Sequence, residues 1–373
     1  MKIAVTGAKG LLGWHAAARL HAANCAARYR GEAEPFRLVR IDRACFSDPA
    51  ALATALEGCE AVLHFAGINR GQESEVLRGN PEIARQLVEA CQAAGARPHI
   101  VYANSLHSRG ESVYGRSKRE AAQILADFSV GGLLADFILP HIFGECAQPD
   151  YNNVTATIID RLWKGEEPQL DPTGRVELLY AGAAAQMMID AAVAGRGGQW
   201  APGGREMSVL ELYDKLKHFD ALYRADVFPD LSDPFDLALF NSYRTAGYPE
   251  HFPKALKVNA DQRGVLFECA KGGNSSHTFL STTLPGIIRG NHFHFSLVER
   301  FVVVKGSAVI RIRKVLSDEV HEFRVSGDEP VAIDQIPFHT HSIENVGKSD
   351  LITFFWAHRM FDPANPDTYA DPV

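Results

Sequence analysis

The 373-residue sequence predicts a doubly wound parallel α/β sheet followed by an all-β sandwich or barrel. Two observations carry this. Residues 2–140 alternate short apolar runs with longer stretches of helical spacing, the pattern of parallel strands joined by right-handed crossovers. From about Val258 the texture changes to β-branched and aromatic runs, broken at short intervals by glycine-bearing turns.

In chain order, "KIAVT", "RLVRID", "AVLHFA", "HIVYAN" and "LLADFIL" read as buried strands. Between them "EIARQLVEACQAAG" has helical spacing and ends in Gly95. Residues of about 145–245 are less regular, with helices expected in "YNNVTATIIDRLWKG" and "MSVLELYDKLKHF"; they read as a small lobe closing over the sheet, so the first domain spans 1–245. "SDPFDLALFNSYRTAGYPEHFPK", rich in turn residues and aromatics, reads as a connector, with a linker at 246–257. The second domain, 258–373, takes its strands from "HTFLSTTLPG", "ERFVVVKGSAVIRIRKVL", "EVHEFRVSG" and "DLITFFWAH". The tail "FDPANPDTYADPV" has three prolines and no periodicity, and is expected to lie extended on a surface.

Composition narrows the function classes. A net charge of -7 argues against a nucleic-acid surface, which needs a basic patch. No apolar run approaches the ~18–20 residues of a membrane span. Met1 leads directly into "KIAVTG", so no signal peptide is expected. Six scattered cysteines without a C-x-x-C pair fit reduced thiols. The expectation is a cytoplasmic protein with neither nucleic-acid nor membrane partners.

Two constellations carry chemistry. At the front, "TGAKGLLG" places Gly7, Gly10 and Gly13 between a strand and a helix, where glycines let the backbone turn tightly and approach a pyrophosphate at the helix N-terminus. "YGRSK" then sets Tyr114 and Lys118 four residues apart, on one helical face. A cation beside a phenol favours the phenolate and lowers its pKa towards a useful acid-base range. Ser105 ends a strand nine residues earlier and can hydrogen-bond the same carbonyl or alcohol oxygen. Alone, Tyr-x-x-x-Lys is usually a solvated helix pair; the glycine turn and strand-end serine, in this order, favour a site. At the cofactor's ribose end, Asp42 suits a 2′-hydroxyl, whereas Arg40 and Arg43 suit a 2′-phosphate; the reading leans to NADP(H).

At the back, Gly286-x5-His292-x-His294-x4-Glu299-x6-Gly306 is followed by "IPFHTHSIENVG". His292 and His294 share a strand face because side chains repeat with period two. Imidazoles with one carboxylate suit a borderline divalent metal such as Zn, Fe, Mn or Ni, with zinc the expectation. A lone histidine between aromatics would more often be a core residue; an H-x-H, a spaced glutamate and a second-strand histidine together favour a metal.

The front motifs resemble the extended short-chain dehydrogenase/reductases, a Rossmann-type fold with T-G-x-x-G-x-x-G, a strand-end serine and Y-x-x-x-K. The resemblance implies that Tyr114 is the proton donor, Lys118 its partner and a ribose contact, and Ser105 the carbonyl-polarising donor. It further implies cofactor contacts from Gly7, Gly10, Leu11, Leu12, Gly13, Arg43, Ala66, Gly67 and Pro140, the last three in "HFAGINR" and "LPHIFG". Leu139 stands where the family usually has arginine, and Asn104 replaces a more common serine. The back motifs resemble the cupins, small β-barrels with a site in the mouth. Matching motif to motif implies His292, His294, Glu299 and His341 as ligands. The loop after Pro337 is a residue short and lacks its glycine, so His339 competes with His341.

The order of the two halves, "GINR", "PDYN" and the tail "MFDPANPDTY" resemble the bifunctional capsular-polysaccharide nucleotide-sugar reductase/epimerases of the UDP-N-acetyl-L-fucosamine pathway. That resemblance implies a UDP-sugar substrate, a homodimer, and two chemistries on one keto-sugar: epimerisation at carbon 3 and reduction of the carbon 4 ketone. A competing reading makes the front half an epimerase or dehydratase and the cupin a dimerisation module. A further one has an iron-loaded cupin activating oxygen.

Overall fold

The apolar runs of the front half become β1 (Lys2–Thr6), β2 (Arg37–Ile41), β3 (Ala61–His64), β4 (His99–Ser105) and β5 (Leu134–Leu139). A sixth strand, β6 (Gly198–Trp200), completes a wholly parallel sheet of order β2-β1-β3-β4-β5-β6. The computed structural model describes residues 1–129, 134–261, 264–267, 269–272, 276–360 and 362–373. Leu133 of the fifth predicted strand and Phe361 of the tail lie outside these.

The sheet is covered on both faces, which is why its strands read as continuous apolar runs. Ile3 and Val5 point into one core with Leu20 and Met188; Ala4 points into the other with Leu87, Tyr102 and Leu125. The helices concerned are α1 (Leu11–Tyr29), α2 (Glu73–Ala93), α3 (Val113–Phe128) and, beyond α4 (Val154–Lys164), α5 (Ala181–Val193). Strand order reverses between β1 and β3, so a crevice opens at their carboxyl ends. Helix α2 ends as expected: Gly95 takes a φ of +61°, and the N–H of Ala96 returns to Cys91 O at 2.8 Å. It begins earlier than the spacing suggests, because the helix runs through Pro81.

By contacts the chain forms two compact units, residues 1–158 with 168–212, and residues 159–167 with 213–373. The second unit contains two antiparallel five-stranded sheets. One has the order β7 (Lys254–Ala255), β13 (Val331–Asp334), β10 (Glu299–Lys305), β15 (Leu351–Ala357), β8 (His277–Thr283). The other runs β12 (Val320–Ser326), β11 (Ser307–Lys314), β14 (His339–Asn345), β9 (Ile288–Phe293), β16 (Tyr369–Ala370). Alternate residues Ala308, Ile310 and Ile312 of β11 meet Phe301, Val303, Ile333 and Leu351 of the facing sheet in one core.

Two expectations for this unit are corrected. The supposed connector contains α7 (Pro234–Ala246), preceded in the chain by α6 (Val209–Arg224). Asp233 caps α7 by accepting from Phe235 N at 2.8 Å, and Pro234 occupies the first turn. Every residue from Ala238 to Thr245 is buried. The turn residues that suggested a loop are the stop signals at its two ends. The tail lies on a surface only in part: residues 362–366 are exposed, whereas Tyr369–Ala370 pairs with β9 and Asp367 and Asp371 are buried. Among the described residues no helix is long and apolar enough to cross a membrane.

Candidate functional site

The glycine turn after β1 is packed too closely for side chains. A Cβ at Gly7, whose φ is +64°, would meet Ala66 N at 2.8 Å, and one at Gly13 would run into Gly7 O. Helix α1 starts at Gly10 with no side-chain cap and no acidic residue in its first turn, so its leading N–H groups have no side-chain acceptor. This bare, positive helix end beside a glycine turn fits a dinucleotide pyrophosphate. Thr6 Oγ accepts from Phe65 N and Ala66 N, both at 3.2 Å, and donates to His64 Nδ1 at 2.8 Å. Burial holds His64 neutral, at about 3.

Across the crevice, α3 is capped by Ser112, which accepts from Gly115 N at 3.1 Å. Gly115 is required because any Cβ there would strike His107 O. The first turn of α3 thus lies against the Leu106–Arg109 turn that follows Ser105. Tyr114 lies close to Ser105; burial pushes the phenol up to about 12, with the Ser105 hydroxyl opposing. Lys118 is buried, donates to Ala103 O at 2.6 Å and lies 4.1 Å from the Tyr102 ring centre. Burial lowers it to about 7, against the pull of Asp136. The sequence-based expectation that Lys118 lowers the tyrosine is therefore not met: a carbonyl and an aromatic face engage the ammonium, and desolvation dominates the phenol.

The "GINR" turn is held to this helix by Asn80 of α2. Its amide accepts from Ile68 N (2.9 Å) and donates to Ile68 O (2.8 Å) and Ser117 Oγ (2.9 Å). Ser117 in turn donates to Tyr114 O at 2.8 Å. A Cβ on Gly67 would meet Asn80 Oδ1 at 2.7 Å and Lys118 Nζ at 4.0 Å, so the turn passes directly over the lysine. "GINR" also meets "PDYN": Asn152 donates to Asn69 O at 2.8 Å and Arg70 donates to Asp150 O. Beside them is a cavity of about 430 Å³, lined by His141, Asp150, Asn152, Asn153 and Gln169 among others. Pro140 is buried at the end of β5. At the end of β2, Asp42 is engaged by Ala44 N, Cys45 N and Lys9 Nζ (2.7 Å), the lysine first among the causes that lower its pKa; Arg43 is exposed.

In the second unit, β9 and β14 place His292 directly opposite His341. A bulge at Asn291 (φ +58°) shifts the register just before His292, and Gly290 passes so close that a Cβ would meet His341 O at 2.7 Å. One nitrogen from each of His292, His294 and His341 lies within 4.8 Å of the others. Burial lowers all three, His292 to about 4, so the imidazoles are neutral at pH 7. His294 Nδ1 contacts Asp367 O at 2.6 Å, and a carbonyl only accepts, so the proton is on Nδ1. Its Nε2 is then a buried lone pair without a hydrogen-bond partner. Three neutral imidazoles with one orphaned nitrogen fit a divalent cation.

Glu299 is not in this cluster. It is buried at the start of β10, where burial raises its carboxyl to about 7 and Arg244 works against that. Gln335 donates to His341 Nε2 at 2.8 Å, and its backbone N–H bonds Glu299 O. His339, the competing ligand, is turned away: its Nδ1 donates to Pro337 O and its ring packs on Tyr248.

Residues 3–200 match the model of the NAD dependent epimerase/dehydratase family, and residues 259–369 that of the Polysaccharide biosynthesis C-terminal domain. The chain belongs to the NAD dependent epimerase/dehydratase family. It is 28% identical over 381 residues to the UDP-2-acetamido-2,6-beta-L-arabino-hexul-4-ose reductase of Pseudomonas aeruginosa, covering 100% of this chain and 99% of that protein. It also resembles the capsular polysaccharide assembling protein CapF of Staphylococcus aureus, at 29% identity and a TM-score of 0.61 with both chains fully covered. UDP-glucose 4-epimerase of Thermus thermophilus, at 18% identity and a TM-score of 0.50, shares the fold over 59% of this chain and 84% of that one. The resemblance carried by the motifs thus holds across both halves, and the family's NAD dependence agrees with the Gly7–Gly13 cradle.

The motifs brought together are the glycine turn with Ala66 and Gly67, Ser105 with Tyr114, and three of four predicted metal ligands. Sequence reasoning missed Asn80, Gln335 and Asp367. Asn80 and Asp367 each precede a turn or a Pro-containing run and read as loop polarity; only the fold shows which backbone groups they satisfy.

Proposed function

We propose that the chain is a bifunctional nucleotide-sugar enzyme of capsule or O-antigen synthesis. The β-rich unit epimerises carbon 3 of UDP-2-acetamido-2,6-dideoxy-4-hexulose; the family-typical unit reduces the carbon 4 ketone with NADPH, giving UDP-2-acetamido-2,6-dideoxy-L-talose. The observation that carries this is the approach of Ser105 to Tyr114, one helical turn from the buried Lys118, in a chain that aligns end to end with a 4-ketoreductase of such a sugar. The preference for NADPH is supported by Lys9, Arg40 and Arg43 around the end of β2, where Asp42 is already engaged by Lys9 and two N–H groups.

In the reductase site Tyr114 delivers its phenolic proton to the carbonyl oxygen, and Ser105 holds that oxygen by a hydrogen bond. The nicotinamide supplies the hydride. A phenol held protonated by burial is ready to donate at neutral pH, and Lys118 balances the phenolate left behind. In the β-rich unit His292, His294 and His341 would hold the cation. A divalent metal there, zinc in this reading, supplies Lewis acidity for enolisation beside the ketone. Leu280, Leu284, Ile287 and Ile288 expose apolar side chains in the β8–β9 region, consistent with a homodimer.

The test uses full-length protein and the keto-sugar in deuterated water. Tyr114→Phe should still place deuterium at carbon 3 while failing to oxidise NADPH. His292→Ala/His294→Ala should lose the exchange while retaining reduction of a pre-epimerised ketone. Exchange that survives loss of the histidines but disappears with Tyr114 would move epimerisation into the reductase site and leave the β-rich unit a structural module.

A further inference from the structure

The short loop Phe295–Leu297 joins His294 to the strand that begins at Glu299, and it is held from both sides by residues remote in sequence. Asp367, on the tail, accepts from Phe295 N (2.9 Å), Ser296 N (2.8 Å), Ser296 Oγ (2.7 Å) and Leu297 N (3.0 Å). On the other side Asn241 of α7 donates to Ser296 O at 3.1 Å, and Arg244 Nη2 donates to Leu297 O at 3.0 Å. Three consecutive N–H groups and two carbonyls of one loop are thus fixed by α7 and the tail.

Both clamps also reach the histidines. The backbone carbonyl of Asp367 accepts a hydrogen bond from His294 Nδ1–H, which leaves Nε2 as the lone pair. Arg244 Nη1 donates to Gln335 O, and the Gln335 amide lies on His341 Nε2 at 2.8 Å. Arg244 is fully buried and Asp367 is 7% exposed with a φ of +46°. A buried guanidinium and a carboxylate on a left-handed residue are costly for a fold to keep without their specific partners.

We propose that Asp367 and Arg244 are positioning residues for the His292/His294/His341 centre, so that α7 and the C-terminal tail complete a site whose ligands all come from the barrel. This rests on the metal reading given above. Imidazole orientation set by partners outside the ligand shell typically governs affinity by about 10–100-fold.

The experiment measures zinc affinity by chelator competition, and the visible spectrum of the cobalt-substituted protein, on full-length wild type, Asp367→Asn, Arg244→Lys and Ser296→Ala. Asp367→Asn keeps the shape and removes the charge; Arg244→Lys keeps the charge and removes the fork. Each should weaken zinc by about 10–100-fold and shift the cobalt bands. Ser296→Ala, which removes one hydroxyl contact, should lose a few-fold and guards against misfolding of the stronger variants. Ile310→Val, a core change away from the loop, should leave affinity and spectrum unchanged. Wild-type affinity and spectrum in all three loop variants would overturn the inference alone, as would an equal loss in Ile310→Val. Absence of zinc binding in wild type would overturn the inference and the metal reading together.

Discussion

At the scale of single residues, Tyr114 and Lys118 show how burial reshapes a pair that sequence spacing places correctly. The phenol sits near 12 and the ammonium near 7, both moved by desolvation towards their neutral forms. Tyr114→Phe removes only the donated proton, so reduction should fall by about 10²–10⁴ with the far-ultraviolet spectrum unchanged. Near-normal turnover of NADPH would exclude Tyr114 as the acid. The depressed lysine sets a pH dependence of definite sign. Lys118 carries its charge below about pH 7 and loses it above, so kcat/KM for reduction should decline through that region. The decline should vanish, at a lower rate, in Lys118→Met; a limb that persists there belongs to another group. The four-residue spacing was readable in the sequence, but the desolvation was not, because it depends on Tyr102, Ala103 and the turn at Gly67, none of which neighbours Lys118 in the chain.

At the scale of elements, the turns that form the sites are held by side chains from distant helices and strands. Asn80 satisfies both backbone groups of Ile68 and the buried Ser117 hydroxyl. Asn80→Ala leaves them without that partner and should cost about 1–3 kcal/mol. Cofactor affinity should fall with it, because Gly67 is released from above Lys118; calorimetric titration with NADPH and NADP⁺ checks this, and unchanged affinity at lowered Tm would limit Asn80 to a structural role. In the other unit, the β9–β14 pair presents neutral imidazoles. Acidification adds protons to the nitrogens that would bind a cation, and His292 gains its proton near pH 4. Metal should therefore be held at pH 7 and released as the pH falls towards 4, seen by dialysis and elemental analysis. Retention at pH 4 would mean that these histidines are not the ligands. The strands that carry these groups were legible from alternation and apolar runs. Helix α7 was not, since its Asp-Pro start and Gly-Tyr-Pro end look like a loop when the eight buried residues between them have no visible partner.

At the scale of the whole molecule, the change of texture near Val258 marks where strands begin, whereas packing draws the compact unit from residue 213 onward together with residues 159–167. Arg300 and Asp334 are fully buried ion partners, and Tyr223 of α6 completes the pair by donating to Asp334. Phe228 stacks on Trp356 at 4.2 Å and meets Phe240 of α7 edge-on. A fragment cut at 258 would lose Tyr223, Phe228, Phe240 and Arg244 at once, exposing Trp356 and leaving the Arg300–Asp334 pair half uncovered. Breaking into buried polar networks of this kind costs several kcal/mol, a large share of a domain's ~5–15 kcal/mol. Residues 258–373 alone should therefore bind a hydrophobic dye and unfold without a sharp transition, although the sequence gives them every predicted metal ligand. Residues 159–373 should melt cooperatively and retain zinc. A sharp, metal-dependent transition in the shorter fragment would show that α6 and α7 decorate the barrel rather than complete it.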